Sequence, residues 1–188
     1  FAGYNPRNLY KKRHRNLKKK MWYLPPVFNF KTSTKSNFFK REKKKIILVV
    51  GRIAFVKRPI LAAKLFMHAL KKDSYIAQNF KLCFVGSGDL LDDLKKFIHE
   101  SNLSKYILPI KRIKSSVMPQ MYNRSHAVLF LSKSETNPFI IKEALASGKP
   151  IFTTNVGTAK NLITKKNGVM VPINNPLKNL DQFIAFLK

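Results

Sequence analysis

Six short apolar runs, each followed by a stretch of helical or turn character, constrain this chain more than any other feature. The runs are Ile46–Val50, Phe80–Val85, Tyr106–Ile110, Ala127–Leu131, Pro150–Thr154 and Val169–Val171. They are continuous rather than alternating, so they read as strands buried on both faces. Between them the period becomes helical. Pro59–Lys72 carries Ile60, Leu61, Leu65, Phe66, Ala69 and Leu70 on one side. Asp89 is placed to cap a helix whose apolar face is Leu90, Leu91, Leu94, Phe97 and Ile98. Ser115–Arg124 and Pro138–Ser147 follow, the second stopped by Gly148, with a helical turn near Ala159–Ile163. Asn175-Pro176 opens a last helix to about Leu187. Such alternation predicts an α/β fold, a Rossmann-like parallel sheet with helices on both faces. Ligands of these sheets bind beyond the carboxyl ends of the strands. Those ends carry Gly51, Gly86, Gly88 and Gly157, where a bare backbone lets a ligand come close.

Charge divides the chain. Its 188 residues carry 37 Lys and Arg against 9 acids, a net +28. Residues 1–45 hold 15 of the bases and the single acid Glu42, with no clean apolar period. They read as a basic irregular arm and linker, and residues 46–188 as the domain. Two readings of the arm stand: a solvated tail or the remnant of a missing upstream domain, against an arm that binds a polyanion, either an anionic membrane surface or RNA. Tyr4, Tyr10, Trp22 and Tyr23 are interleaved with its bases. A transit peptide would be rich in Arg and Ser, whereas the bases of this arm are mostly Lys. The chain begins at Phe1, which reads as a fragment or a processed form. No apolar run approaches the roughly 18 residues of a helical membrane span. The single cysteine, Cys83, excludes a disulfide framework within the chain and fits a reducing compartment. His14, His68, His99 and His126 are scattered, so no metal site is expected.

Two carboxylates draw attention to the region after the fourth strand. Glu135 ends a loop, and Glu143 lies inside the following helix among Ile140, Ile141, Ala144 and Leu145. An acid placed there is costly unless it meets a hydroxyl or a base. Loop and helix together can reach one ligand. The amides of Phe139 and Ile140 stand at the helix start, a position that attracts phosphate. After the first strand, Gly51-Arg52 is followed by Lys57, and the two cations can grip a diphosphate from one side.

In order, these pieces resemble a known family. Val49-Val50-Gly51-Arg52 with Lys57, Phe84–Gly88, Ser134-Glu135, Glu143–Pro150, Val156-Gly157 and Asn167–Pro172 are similar to the carboxyl-terminal domain of family 4 retaining glycosyltransferases. Tyr23–Val27 resembles that family's interdomain linker. The resemblance spans residues 46–188 and implies one half of a GT-B fold, the half that binds a nucleoside diphosphate sugar as donor substrate. It implies Arg52 and Lys57 on the diphosphate, Glu135 on sugar hydroxyls, Glu143 on the ribose, and Arg112 and Ile113 beside the base. No metal or other cofactor is implied. Three departures stand out. Glu135-Thr136-Asn137-Pro138 replaces the usual Glu-Gly-Phe-Gly, Gly157–Asn161 loses the acid of Gly-Gly-x-x-Glu, and Lys111 stands where a glycine is usual. An amino-terminal acceptor domain is missing from these residues. The expectation is therefore a donor-binding domain acting on a glycan or lipid-linked acceptor, in the cytoplasm at a membrane surface. The alternative is a non-catalytic relative recruited as a basic component of a ribonucleoprotein such as a mitochondrial ribosome, in the mitochondrial matrix.

Overall fold

The computed structural model describes residues 42–188. Most of the arm expected over residues 1–45, and the linker expected at Tyr23–Val27, lie outside the described residues. Six parallel strands form one sheet: β1 (Lys45–Val50), β2 (Phe80–Val85), β3 (Ile107–Ile110), β4 (Ala127–Phe130), β5 (Ile151–Thr154) and β6 (Gly168–Val171). The helices are α1 (Pro59–Lys72), α2 (Ser74–Asn79), α3 (Leu91–Glu100), α4 (Met118–Arg124), α5 (Phe139–Ala146) and α6 (Leu180–Leu187). The expected Rossmann-like sheet is thus the observed one.

Successive strand residues point to opposite faces, and each face buries its own core. On one face Ile47, Phe84, Leu129 and Phe152 meet Phe66 of α1, Ile76 of α2, Leu94 of α3 and Phe183 of α6. On the other, Leu48, Cys83, Val128 and Ile151 meet Tyr122 of α4 and Ile141 of α5. The strand order is β3-β2-β1-β4-β5-β6. The chain therefore winds outward from β1 in one direction and, from β4, in the other. At the switch between β1 and β4, where Ile47 pairs with Ala127, the connecting loops diverge and leave a crevice beyond the strand ends. Pro109 is tolerated because β3 is an edge strand.

Several local expectations are corrected. Asp89 does not cap α3. Leu90 is the cap residue, with no side-chain hydrogen bond; its own amide donates to Ile53 O at 2.9 Å, and the Leu91 amide to Gly88 O at 3.0 Å. Backbone carbonyls take up these two amides, so an Asp cap is not required. Helix α2 was not foreseen. It is six residues long, too short to show a period, and is capped by Asp73, which accepts from Tyr75 N at 2.9 Å. The last helix is broken, with a 3-10 turn at Pro176–Asn179 before α6. Ser115–Arg124 is likewise split into a 3-10 turn, Ser115–Val117, and α4.

Cys83 is fully buried in β2, and that burial pushes its thiol up to about 12. The thiol is neutral in the folded protein. In the unfolded chain it ionises near its ordinary value, so its stabilising contribution is present below about pH 9 and falls as pH rises from there toward 12. Labelling at pH 8 with a thiol reagent is expected to be negligible in the native protein and rapid in denaturant. Fast native labelling would show that β2 opens.

Candidate functional site

The crevice begins where β1 ends. Gly51 has φ +129°, a conformation that side chains rarely adopt. A Cβ built on it would lie 3.3 Å from Ile140 Cδ1 and 3.9 Å from Lys57 Cε. The bare backbone of Gly51 thus faces both the start of α5 and the Lys57 side chain. Next to it, a Cβ on Gly86 would run into the Gly51 carbonyl, so the ends of β1 and β2 can lie this close only because Gly86 has no side chain.

From Arg52 the chain makes a tight loop and a 3-10 turn, Phe55–Lys57. Arg58 then takes a left-handed conformation, φ +52°, which no sequence signal announced. Its guanidinium donates to Ile173 O at 2.7 Å, tying this loop to the segment after β6. Burial lowers the Arg58 pKa from its ordinary value. The turn sends Lys57 across to the β4 loop, where its ammonium pairs with Glu135 Oε1. Ser132 Oγ donates to the same carboxylate oxygen at 2.9 Å. Further bonds hold the two loops in register. Lys133 N donates to Val56 O at 2.7 Å across the two loops, and Thr154 Oγ1 at the end of β5 donates to Ser132 O at 2.7 Å, which ties the β4 loop to β5. Gly157, φ +52°, packs behind: a Cβ there would lie 2.5 Å from Glu135 O. Lys57 and Glu135 are 22% and 17% exposed, largely screened from water yet reachable from the crevice.

A hollow of about 320 Å³ lies beside Gly51, lined by Arg52, Gly86, Ser87, Arg112, Ile113 and Met118. Sequence-predicted Arg52, Arg112 and Ile113 therefore share one wall system with Gly51. Arg52 and Arg112 are exposed at its mouth. A larger hollow of about 490 Å³, lined by residues such as Lys44, Arg124 and His126, lies at the amino ends of β1 and β4, away from this chemistry.

Helix α5 begins at Phe139, one residue later than expected, with Pro138 in the cap position and no side-chain cap. Phe139 is exposed, and Ile140 leans on Gly51. Glu143 lies one turn further on, on the same helical face, and accepts a hydrogen bond from Tyr122 Oη at 2.7 Å. The hydroxyl expected as Glu143's partner is thus a tyrosine of α4. Sequence reasoning missed Tyr122, Ser132 and Arg58. In the sequence Tyr122 carries no signal that sets it apart from the apolar positions of a short helix. Two departures from the family pattern, Asn137 and Thr158, place buried oxygens, Oδ1 and Oγ1, that have no hydrogen-bond partner in the structure. Among the described residues no group of three or more His, Cys, Asp or Glu could hold a metal ion. No helix among them is long and apolar enough to cross a membrane.

The profile of the family described as glycosyl transferases group 1 matches residues 30–188, and the chain belongs to that family. An uncharacterized glycosyltransferase of Methanocaldococcus jannaschii is 25% identical over 137 residues, 72% of this chain and 34% of that protein. Among solved structures, Staphylococcus aureus TarM superposes with a TM-score of 0.68 at 20% identity, over 77% of this chain and 29% of that one. The lipopolysaccharide outer core galactosyltransferase WaaB gives 0.60 at 21%, over 79% and 40%. Anabaena HepE, solved with UDP, gives 0.59 at 17%, over 80% and 44%. These likenesses show the fold, that of a GT-B glycosyltransferase domain. The chain spans about a third of the length of the curated relative and less than half of each of these solved chains.

Proposed function

We propose that residues 46–188 are the donor-binding domain of a glycosyltransferase, preceded by the basic segment 1–45, and that they hold a nucleoside diphosphate sugar in the β1/β4 crevice. The observation that carries this reading is the meeting of Gly51, Lys57, Glu135 and Ile140 at the strand-order switch, beside a hollow walled by Arg52, Arg112 and Ile113. The base would lie against Arg112 and Ile113, and the ribose hydroxyls would bond Glu143. The diphosphate would pass the bare Gly51 backbone and the first amides of α5, next to Lys57 and Arg52. As the bond from sugar to diphosphate breaks, negative charge grows on the departing diphosphate. Lys57, once released from Glu135, and Arg52 at the mouth of the hollow would set positive charge against it. Glu135 holds Lys57 in place before the donor arrives, and its carboxylate would accept from sugar hydroxyls once the ammonium turns to phosphate. A metal ion is not assigned a part. TarM and HepE were solved with UDP, which makes UDP the first probe.

The acceptor, a glycan or lipid-linked sugar, would belong to a second domain, and the +28 charge would favour work at an anionic membrane face. No observation among the described residues favours the ribonucleoprotein reading. Calorimetry of the whole chain with UDP, UDP-sugars and GDP tests the proposal. One of them should bind with a dissociation constant between about 1 µM and 1 mM, and do so in EDTA. Failure of every nucleoside diphosphate, alongside RNA binding that survives high salt, would replace this reading with the other.

A further inference from the structure

We infer that Tyr122 is a positioning residue that fixes the Glu143 carboxylate by one oxygen so that the other is presented to the donor's ribose. The inference rests on the donor-binding reading above and adds to it a residue that reads the sugar of the nucleotide indirectly. Tyr122 Oη donates to Glu143 Oε2 at 2.7 Å. Among the described residues no other side chain bonds Glu143. The bond is therefore one-sided: Oε2 is engaged, and Oε1 keeps its acceptor capacity.

The tyrosine is built to hold still. Its ring is fully buried, packed in the apolar layer with Met121, Ile141 and Ala144. Its carbonyl accepts from Ser125 Oγ at 2.8 Å and from Ser125 N at 3.0 Å, which fixes the end of α4. A ring locked on both sides can place its hydroxyl in few positions. Burial, followed by the nearby Glu143 charge, raises the Tyr122 pKa well above its ordinary value, so the hydroxyl stays a donor.

Both partners sit one turn from the crevice. Met118, four residues before Tyr122 on the same helical face, lines the hollow with Arg112 and Ile113. Ile140, three residues before Glu143, rests against Gly51. The pair thus lies one helical turn behind two parts of the crevice, the wall assigned to the base and the loop assigned to the diphosphate. A ribose links those two groups in any nucleoside diphosphate. A carboxylate with one oxygen pinned can accept from neighbouring 2′ and 3′ hydroxyls with the other at no further ordering cost.

The test compares UDP with 2′-deoxy-UDP and 3′-deoxy-UDP, and with inorganic pyrophosphate, in the whole chain by calorimetry. Wild type should prefer UDP over the deoxy forms. Tyr122→Phe removes only the hydroxyl. It is expected to weaken UDP by about tenfold, the effect of one hydrogen bond to a charged group. The preference over the deoxy forms should shrink toward one, with pyrophosphate affinity unchanged. A structural role alone would weaken UDP and deoxy-UDP alike, and that result overturns the inference while leaving donor binding intact. Wild type binding UDP without preferring it over deoxy-UDP overturns it too. Wild type binding no nucleoside diphosphate overturns the donor reading itself. Glu143→Gln supplies a second variant that does not disturb the buried ring. It keeps an oxygen for Tyr122 and turns a donor toward the ribose, so the preference should collapse there as well; a preserved preference sinks the idea.

Discussion

Replacing Lys57 by Ala should weaken UDP binding by roughly 10- to 100-fold, the worth of a charge-assisted hydrogen bond. Any sugar transfer by the intact enzyme should fall on the order of 100- to 1000-fold, as when one preorganised electrophile is removed from a developing anion. The larger second effect follows because charge on the diphosphate grows as the bond to the sugar breaks. Stability should hardly move. The Lys57–Glu135 pair is partly exposed, and such pairs contribute about 0–1 kcal/mol. Glu135 keeps Ser132 as a donor when Lys57 is gone. Lys57→Arg should recover only part of the loss, because a planar fork cannot place its charge as a compact ammonium does beside Phe130, whose ring centroid lies 5.2 Å from Lys57 Nζ. Calorimetry and a thermal melt on the same samples check both halves. Unchanged UDP affinity in Lys57→Ala would remove Lys57 from the site. A melt lowered by many degrees would mean the pair holds the loops together rather than awaiting a ligand.

What the sequence could show is decided by range. Helix α1 was legible as Pro59–Lys72, because a proline opens it and an apolar period runs through it. Its buried stripe is nevertheless shifted: Ala62 and Ala63 are buried, while Ile60 and Leu61 are only partly so. Strand β2 was legible because five of its six residues are apolar, between a helix and Gly86. Helix α2 has too few residues for a period, although Asp73 before Ser74 was a cap signal. The site is a different case. Lys57 and Glu135 are 78 residues apart, and they meet because β1 lies beside β4 rather than only beside β2. No local pattern encodes strand order. The resemblance to a family grouped the two residues, and the structure shows the contact. Tyr122 escaped because a buried aromatic on a short amphipathic helix usually has only packing to do. Only the position of its hydroxyl over α5 separates it from its neighbours.

Phe152→Ala is expected to cost about 3–5 kcal/mol, the range for removing a buried aromatic and leaving a cavity. Phe152 is fully buried at the centre of β5, between Leu129 of β4 and Val169 of β6. Its ring meets Phe183 edge-on at 5.1 Å and Phe186 at 5.7 Å, both on α6. Such ring pairs add about 0.5–1.5 kcal/mol beyond the area they bury. The helix has little else of its own to hold it: eight residues, no side-chain cap, and a 3-10 turn before it. Short helices persist by packing rather than propensity. Loss of the ring should therefore free α6 first and lower global stability with it, against a typical total of about 5–15 kcal/mol. Urea unfolding gives the second quantity, and amide exchange the first, since protection over Leu180–Leu187 should fall by more than in β1 or β2. The loss also bears on the crevice. The carboxyl end of β5 carries Thr154, whose hydroxyl holds the Ser132 carbonyl and so the loop that presents Glu135. Weaker UDP binding in Phe152→Ala at temperatures where it remains folded would show that this support runs through β5. A cost under about 1 kcal/mol would show that the site collapses around the missing ring and that α6 is anchored elsewhere.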